Sequence, residues 1–190
     1  MSEIQQQTRF VLRKTVVMVG MMGAGKTAVG RALASRLDVP FLDSDAEIEA
    51  AANMSVPEIF TRDGEAFFRD REAEVITRLL AAAPGILSTG GGAFLARRNR
   101  DSIAAHGVSV WLDADIDLLW ARVRHKDTRP LLRTADPKAT LTQLFAQRVP
   151  VYEQAALRVT AAADRSIEDM AGIVVQALLT RPDVLEPVDG

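Results

Sequence analysis

The most restrictive feature of this chain is residues 20–27, where two glycines and a lysine–threonine pair have the spacing G-x-x-x-x-G-K-T. An apolar, β-branched segment, Thr15–Val19, precedes this run and predicts a buried strand. Residues 27–37 carry apolar side chains at helical spacing and predict a helix. Glycines in such a run let successive backbone N–H groups converge on phosphate oxygens at the start of a helix. The run therefore predicts a phosphate-binding loop, with a nucleoside triphosphate as its ligand.

Two side chains of this loop have expected tasks. The Lys26 ammonium would reach the β- and γ-phosphates, and the Thr27 hydroxyl would be a ligand of Mg²⁺. The alternative is a glycine-rich turn that only happens to precede a lysine, but strand, loop and helix in register favour the phosphate site. The loop residues predicted to bind the nucleoside triphosphate are Gly23, Ala24, Gly25, Lys26, Thr27 and Ala28.

Composition excludes several functional classes. A chain of 190 residues with 48% hydrophobic content fits one compact domain. The formal net charge of −2 argues against a nucleic-acid-binding surface, which normally carries a basic excess. The absence of cysteine excludes disulfides, thiolate catalysis and cysteine-ligated metals. No apolar run approaches the ~20 residues that span a bilayer, and the N-terminus lacks a signal-peptide core, so we expect a cytoplasmic enzyme without membrane contact.

Predicted strands and helices alternate along the rest of the chain. A capped helix start is predicted at Ser55 and a helix break at Gly64. Alternation of this kind predicts a parallel sheet with helices on both faces. Ligands of such sheets bind beyond the carboxyl ends of the strands. We therefore expect Asp43, Asp45 and the glycines at 90–92 to lie beside the phosphate loop. The predicted strands are 40–45, 86–89, 108–112 and 158–160, and the predicted helices are 46–52, 65–83, 98–106, 115–124, 141–148 and 167–179.

The ordered motifs of this chain resemble those of the shikimate kinases, small P-loop kinases of aromatic amino-acid biosynthesis. They are GMMGAGKT, LDSD, DGEAFFRDRE, GGG, RPLL and RVPVY, and the likeness runs from about residue 15 to residue 179. The phosphate loop alone is shared by many unrelated proteins, whereas the whole ordered set is far more specific. The resemblance implies an α/β fold, a three-layer αβα sandwich with a five-stranded parallel sheet, in the nucleoside-monophosphate-kinase-like P-loop architecture.

The resemblance also sets the expected domain organisation. It implies a single domain at residues 15–180, with a lid at about 124–137. Residues 1–14 would be an N-terminal extension and residues 181–190 a C-terminal tail, and we expect residues 182–190 to be a loose tail.

The reaction implied by the resemblance is phosphoryl transfer from ATP to the 3-hydroxyl of shikimate, with Mg²⁺ as cofactor and a monomer as the active species. Lys26, Asp45 and Arg129 would be catalytic, and Arg129 would reach the phosphates from the lid as an internal arginine finger. Asp43 would hold Mg²⁺ through water, beside Thr27. Whether Asp45 deprotonates the hydroxyl or only orients it stays open at this point. The ordinary alternative for Asp45 is an N-cap of the helix at 46–52.

Two arginines match residues that grip the shikimate carboxylate in the family, and the planar fork of arginine suits this task. The ordinary alternatives are an exposed i,i+4 ion pair between Arg69 and Glu65, and a solvated helix residue for Arg148. In the glycine run, Gly91 would present bare backbone to a substrate hydroxyl. The residues predicted to bind shikimate are Asp45, Arg69, Gly90, Gly91, Gly92 and Arg148.

The nucleotide end of the site is less firmly marked. Arg122 matches a residue that packs on adenine and Arg165 matches another nucleotide contact, although no distinctive motif anchors either. The family commonly has two hydroxyl residues after the loop lysine, whereas Thr27 is followed here by Ala28, so we expect ATP binding with one phosphate hydrogen bond fewer.

Two alternative functions follow from the same phosphate loop. Another small-metabolite or nucleotide kinase would keep the loop and differ only in its acceptor pocket. A regulatory ATP or GTP switch is disfavoured, because it would not need two carboxylate-gripping arginines. The chain also lacks the Asn-Lys-x-Asp motif that reads guanine.

Overall fold

The computed structural model describes residues 8–125 and 132–188, which form seven strands and seven α-helices. The strands are β1 (Arg9–Leu12), β2 (Thr15–Val19), β3 (Phe41–Asp43), β4 (Ile86–Ser88), β5 (Gly107–Asp113), β6 (Leu157–Thr160) and β7 (Leu185–Val188). The helices are α1 (Lys26–Leu37), α2 (Ser44–Ala52), α3 (Val56–Leu80), α4 (Arg97–His106), α5 (Ile116–Val123), α6 (Pro137–Tyr152) and α7 (Ile167–Leu178). A short 3₁₀ helix, Ala93–Leu95, follows the glycine run.

Five parallel strands form the central sheet, in the order β3-β4-β2-β5-β6. Every residue of β2 is buried, as expected for a strand that helices cover on both faces of a parallel sheet. Helices flank the sheet, with α1 packed against α7 and α3 packed against α4. The predicted three-layer αβα fold with a five-stranded parallel sheet is confirmed. Because β2, β3 and β4 are neighbours, the segments that follow their carboxyl ends meet at one edge.

The predicted helix start at Ser55 and the predicted helix break at Gly64 are both confirmed. Ser55 is the N-cap of α3, and its hydroxyl accepts a hydrogen bond from the Glu58 N–H at 3.3 Å. Gly64 interrupts the helical backbone of α3 with φ 86° and ψ 169°. In the described part of the chain, no helix combines the length and the apolar character needed to cross a bilayer.

Helix α6 is twice as long as the predicted helix at 141–148. Its start is fixed by the Asp136 side chain, which accepts from the Ala139 N–H at 3.2 Å, and by Pro137 in the first turn. The last turn contains Pro150, which sequence patterns normally place outside a helix. As a result Arg148 and Tyr152, four residues apart, project from the same face of one helix.

The expectation of a loose tail at residues 182–190 is wrong for the described part of that segment. Strand β7 pairs antiparallel with β1, from Arg9 opposite Val188 to Leu12 opposite Leu185. The Leu185 side chain is buried, with only 1% of its surface exposed. Arg13 and Glu186 form an ion pair across this ribbon at 2.5 Å. Local patterns miss the ribbon because it joins two short segments from opposite ends of the chain.

The ribbon provides a direct stability test. We expect Leu185→Ala to lower the free energy of unfolding by about 2–5 kcal/mol, because it leaves a cavity in the core. The matched change Glu186→Ala removes an exposed ion pair from the same strand and should cost at most about 1 kcal/mol. Urea unfolding of both variants measures the difference, and similarly small losses would contradict a packed C-terminal strand.

Candidate active site

The phosphate loop has a backbone that only glycine adopts readily. Gly20 has a φ of 145° and Gly25 a φ of 96°, both in a region that residues with a side chain rarely occupy. A Cβ on Gly20 would also lie 2.8 Å from the Leu112 carbonyl oxygen. Helix α1 begins at Lys26, immediately after the loop, so its first N–H groups have no partner within the helix. This is the geometry of an anion-binding helix start.

The Lys26 side chain folds back onto the phosphate loop. Its ammonium donates hydrogen bonds to the carbonyl oxygens of Gly20 at 2.6 Å and Met21 at 3.1 Å. The charge is therefore held beside the loop N–H groups, where phosphate bound by the loop would meet it.

Three oxygen-bearing side chains meet beside the loop. The Thr27 hydroxyl lies 3.4 Å from the Asp43 Oδ2 atom and 3.4 Å from the Ser88 hydroxyl. Asp43 is itself fixed, because its Oδ1 atom accepts from the Ala46 N–H at 3.1 Å. Hydroxyl and carboxylate oxygens are hard donors that suit Mg²⁺ when water and phosphate complete its shell, so these residues fit the expected ion. Ser88 is absent from the predicted site, and its only signal in the sequence is its position at the end of β4.

Asp45 is not the N-cap of α2. That position belongs to Asp43, so the ordinary alternative considered for Asp45 is wrong. Asp45 lies in the first turn of α2, and its Oδ1 atom is buried with no hydrogen-bond partner among the described residues. Burial raises the pKa of Asp45 to about 6, the negative charge of Asp43 adds to this effect, and the Lys26 ammonium opposes it. The result is a carboxylate that can gain or lose a proton near neutral pH.

Each residue of the glycine run leaves room for one charged side chain of the predicted site. The space that a Cβ would fill is taken in all three cases by a carboxylate or guanidinium atom, within 3.0 Å: Asp45 at Gly90, Arg148 at Gly91 and Arg69 at Gly92. A Cβ at any of the three positions would therefore displace the end of one of these side chains, whereas the expected contact of Gly91 with a substrate hydroxyl stays a prediction. The negative φ of Gly92, −93°, would by itself suit an alanine.

Arg69 makes the expected i,i+4 ion pair and a second, closer one. Its Nε atom lies 3.5 Å from the Glu65 carboxylate, whereas its Nη1 atom lies 2.9 Å from the Glu72 carboxylate. Glu72 is fully buried, and burial raises its pKa while the Arg69 guanidinium opposes that rise. Glu72 therefore holds the guanidinium in place. The sequence analysis missed Glu72, although its position three residues after Arg69 on a helix was a signal.

Arg148 is not a solvated helix residue, because only 6% of its surface is exposed. Its Nη1 atom is buried and has no hydrogen-bond partner among the described residues. A buried guanidinium nitrogen without an acceptor is costly in a protein that binds nothing there. The Arg148 Nη1 atom is therefore placed to donate a hydrogen bond to a bound ligand.

The phosphate loop and the glycine run share one cleft of about 620 Å³. Arg122 lies at the nucleotide end, where its Nη1 atom donates to the Gly23 carbonyl at 2.9 Å. Arg165 also lines the cleft, and its Nη1 atom donates to the Thr160 carbonyl at 2.5 Å. The predicted site residues in the lining are Gly23, Ala24, Gly25, Lys26, Thr27, Ala28, Asp43, Asp45, Gly90, Gly91, Arg122 and Arg165.

Four predicted residues are not in that lining. Gly92, Arg69 and Arg148 adjoin it through the glycine run. Arg129 lies outside the described residues, so its place over the phosphates stays a prediction, as does the lid itself.

The buried carboxylate gives a pH-dependent stability test. An aspartate with a pKa of about 6, against an ordinary 3.8, holds its proton more tightly when folded, so the free energy of unfolding falls as pH rises between these values. Asp45→Asn removes this loss, and we expect it to stabilise the protein by about 1–3 kcal/mol above neutral pH. Near pH ~4 the two proteins should be equally stable. Urea unfolding at both pH values measures this, and an equal gain at each would contradict a buried, ionised Asp45.

Known proteins share this fold and much of this sequence. The family model described as "Shikimate kinase" matches residues 22–179. The shikimate kinase of Ruegeria pomeroyi is 72% identical over 175 residues, covering 92% of this chain and 90% of that protein. That of Cereibacter sphaeroides is 63% identical, covering 92% and 87%. The solved shikimate kinase from Acinetobacter baumannii in complex with shikimate has a TM-score of 0.82 and 37% identity, covering 88% and 93%. The chain therefore belongs to the shikimate kinase family.

Proposed function

We propose that this chain phosphorylates the 3-hydroxyl of shikimate with ATP, and that the residues around the glycine run select the acceptor. The observation that carries the proposal is the pair of guanidiniums beside that run. Arg148 has a buried Nη1 atom with no acceptor in residues 8–125 and 132–188, and Arg69 fills the space at Gly92. A phosphate loop at one end and two arginines at the other suit a phosphoryl donor and a small carboxylate-bearing acceptor.

The donor would be bound by the loop and by Lys26. The loop N–H groups and the Lys26 ammonium would contact the β- and γ-phosphates, while Arg122 and Arg165 contact the rest of the nucleotide. Thr27 and Asp43, with Ser88 beside them, would hold Mg²⁺ directly or through water. When bound with ATP, the ion supplies positive charge that offsets the charge on the phosphate oxygens.

The acceptor would lie between Asp45 and the two arginines. Its carboxylate would pair with Arg69 and accept a hydrogen bond from the Arg148 Nη1 atom, which has no acceptor in the described part of the chain. Its hydroxyl would then face Asp45, whose Oδ1 atom is likewise without a partner among the described residues. Gly90 and Gly91 carry no side chain, which leaves room for the Asp45 carboxylate and the Arg148 guanidinium beside this space.

Catalysis would depend mainly on position and charge. The transition state of phosphoryl transfer is loose, so holding the hydroxyl in line with the γ-phosphate and stabilising the phosphoryl oxygens contribute most. Lys26 would stabilise those oxygens, together with Arg129 if it reaches them as the family resemblance implies. Asp45, with a pKa of about 6, is mostly ionised at neutral pH and would accept the hydrogen of the hydroxyl. A monomeric state and a cytoplasmic location stay predictions.

An acceptor panel tests the proposal against other small-metabolite kinases. ATP turnover should require shikimate, and gluconate or nucleoside monophosphates should not replace it in a coupled assay of ADP release. Turnover of one of these other acceptors, without turnover of shikimate, would overturn the substrate assignment and leave the phosphate-loop assignment intact.

Arg148→Ala tests the carboxylate contact. Loss of one charged hydrogen-bond partner costs about 1.5–3 kcal/mol, so we expect the KM for shikimate to rise roughly 10- to 150-fold. The KM for ATP should change less than about twofold, and Arg148→Lys should restore only part of the loss because it lacks the planar fork. Arg97, an exposed arginine of α4, provides the control, since Arg97→Ala should leave both KM values unchanged. An unchanged KM for shikimate in Arg148→Ala would contradict the assignment.

Gly92→Ala tests whether the glycine run makes room for Arg69. The backbone at Gly92 suits alanine, so we expect a stable protein, but the new Cβ would displace the Arg69 guanidinium. The KM for shikimate should rise about tenfold or more, as it should in Arg69→Ala. If both act through one contact, the double variant should be no worse than Arg69→Ala alone. Additive effects in steady-state kinetics would show that Gly92 acts by another route.

A further inference from the structure

The single tyrosine of the chain, Tyr152, is fully buried at the end of α6, beside the glycine run. Its hydroxyl donates a hydrogen bond to the Gly91 carbonyl oxygen at 2.5 Å. We propose that Tyr152 is a positioning residue for the acceptor, which holds the Gly91 peptide and the Arg148 guanidinium at a fixed separation. The inference rests on the proposed function, because it concerns the acceptor end of the same site.

The hydrogen bond holds the middle carbonyl of the run, whereas the carbonyls of Gly90 and Gly92 accept from the Ala93 and Leu95 N–H groups at 3.1 and 3.2 Å. Residues 90–92 have no side chains that could anchor them in the core. The peptide is planar and trans, so holding the Gly91 carbonyl also sets the direction of the Gly92 N–H, which points the opposite way. One hydroxyl therefore orients the middle of the run.

The Tyr152 ring cannot easily shift to relax this bond. It is fully buried and packs near the rings of Trp111, at a centroid distance of 6.1 Å, and Phe94, at 6.5 Å. The Arg158 guanidinium covers the Trp111 ring at 4.7 Å from its centroid. Aromatic contacts of this kind stabilise the position of the phenol beyond what burial of its area alone contributes.

Arg148 lies one helical turn before Tyr152, on the same face of α6. Burial raises the pKa of the Tyr152 phenol above its ordinary value, although the Arg148 guanidinium opposes this. The phenol therefore stays neutral at physiological pH and keeps the proton that it donates to Gly91.

Little free space separates the Gly91 backbone from the Arg148 guanidinium. A Cβ on Gly91 would lie only 3.0 Å from the Arg148 Nη1 atom, so the loop and the guanidinium are already in close contact. If the Gly91 peptide moved, the position at which a carboxylate can bind the Arg148 guanidinium would also change. Tyr152 is absent from the lining of the cleft that holds the phosphate loop, so the nucleotide end should not feel its loss.

Tyr152→Phe tests the proposal, because it removes the hydroxyl and keeps the buried ring. We expect the KM for shikimate to rise roughly 5- to 30-fold, while the KM for ATP changes less than about twofold. Ser109→Ala is the matched control: it removes another hydroxyl hydrogen bond to backbone, from the Ala156 N–H at 2.9 Å, away from the glycine run. This control should lose stability without a change in either KM.

Other outcomes would overturn the proposal. An unchanged KM for shikimate in Tyr152→Phe, or an equal rise in both KM values, would show that the phenol has no positioning role. If that variant fails to fold, wild-type protein labelled with 3-fluorotyrosine gives one fluorine resonance, which should shift with shikimate and stay in place with an ATP analogue. A resonance that ignores shikimate would overturn the proposal. A wild type that does not phosphorylate shikimate would instead remove the proposed function.

Discussion

The contact between the glycine run and three charged side chains is the constraint on which the site depends. Strand β4 delivers residues 90–92 to the edge of the sheet, and helices α2, α3 and α6 each send one ionic group into the space beside them. A side chain at any of these positions would push such a group aside. The packing of three helices around the glycine run therefore determines where charged groups lie next to the phosphate loop.

This arrangement leaves several polar groups buried and only partly satisfied. Oxygens of Asp45 and Glu72 and the Nη1 atom of Arg148 have no hydrogen-bond partner among the described residues. Groups of this kind lower stability unless a ligand or a neighbouring charge compensates them. Glu72 is compensated in part by Arg69, whereas Asp45 and Arg148 face the space assigned to the acceptor. These unpaired polar atoms therefore lower the stability of the ligand-free protein, and a ligand that pairs with them would raise it.

Local sequence patterns predicted those parts of the molecule whose structure depends on residues close together in the chain. The phosphate loop, strand β2 and a parallel sheet covered by helices follow from glycine spacing and from alternating strands and helices, whereas the five-stranded order came from the family resemblance. Propensity could not decide which of two neighbouring acids caps α2, since Asp43 and Asp45 are both good caps. The extent of α6 was missed because Pro150 is normally a helix-ending signal. Pairing of β1 with β7 depends on contacts between distant segments, which no local pattern reports.

The terminal ribbon also has a consequence for protein engineering. Arg9 and Val188 lie opposite each other in the antiparallel pair, so the described ends of the chain leave the fold side by side. Proteins with adjacent ends often tolerate circular permutation, in which a short linker joins the old termini and new ones are opened in a surface loop. The same adjacency would bring two fluorescent labels, one at position 9 and one at position 188, close enough for efficient energy transfer. Loss of that transfer would report separation of the ribbon while the rest of the enzyme is still folded.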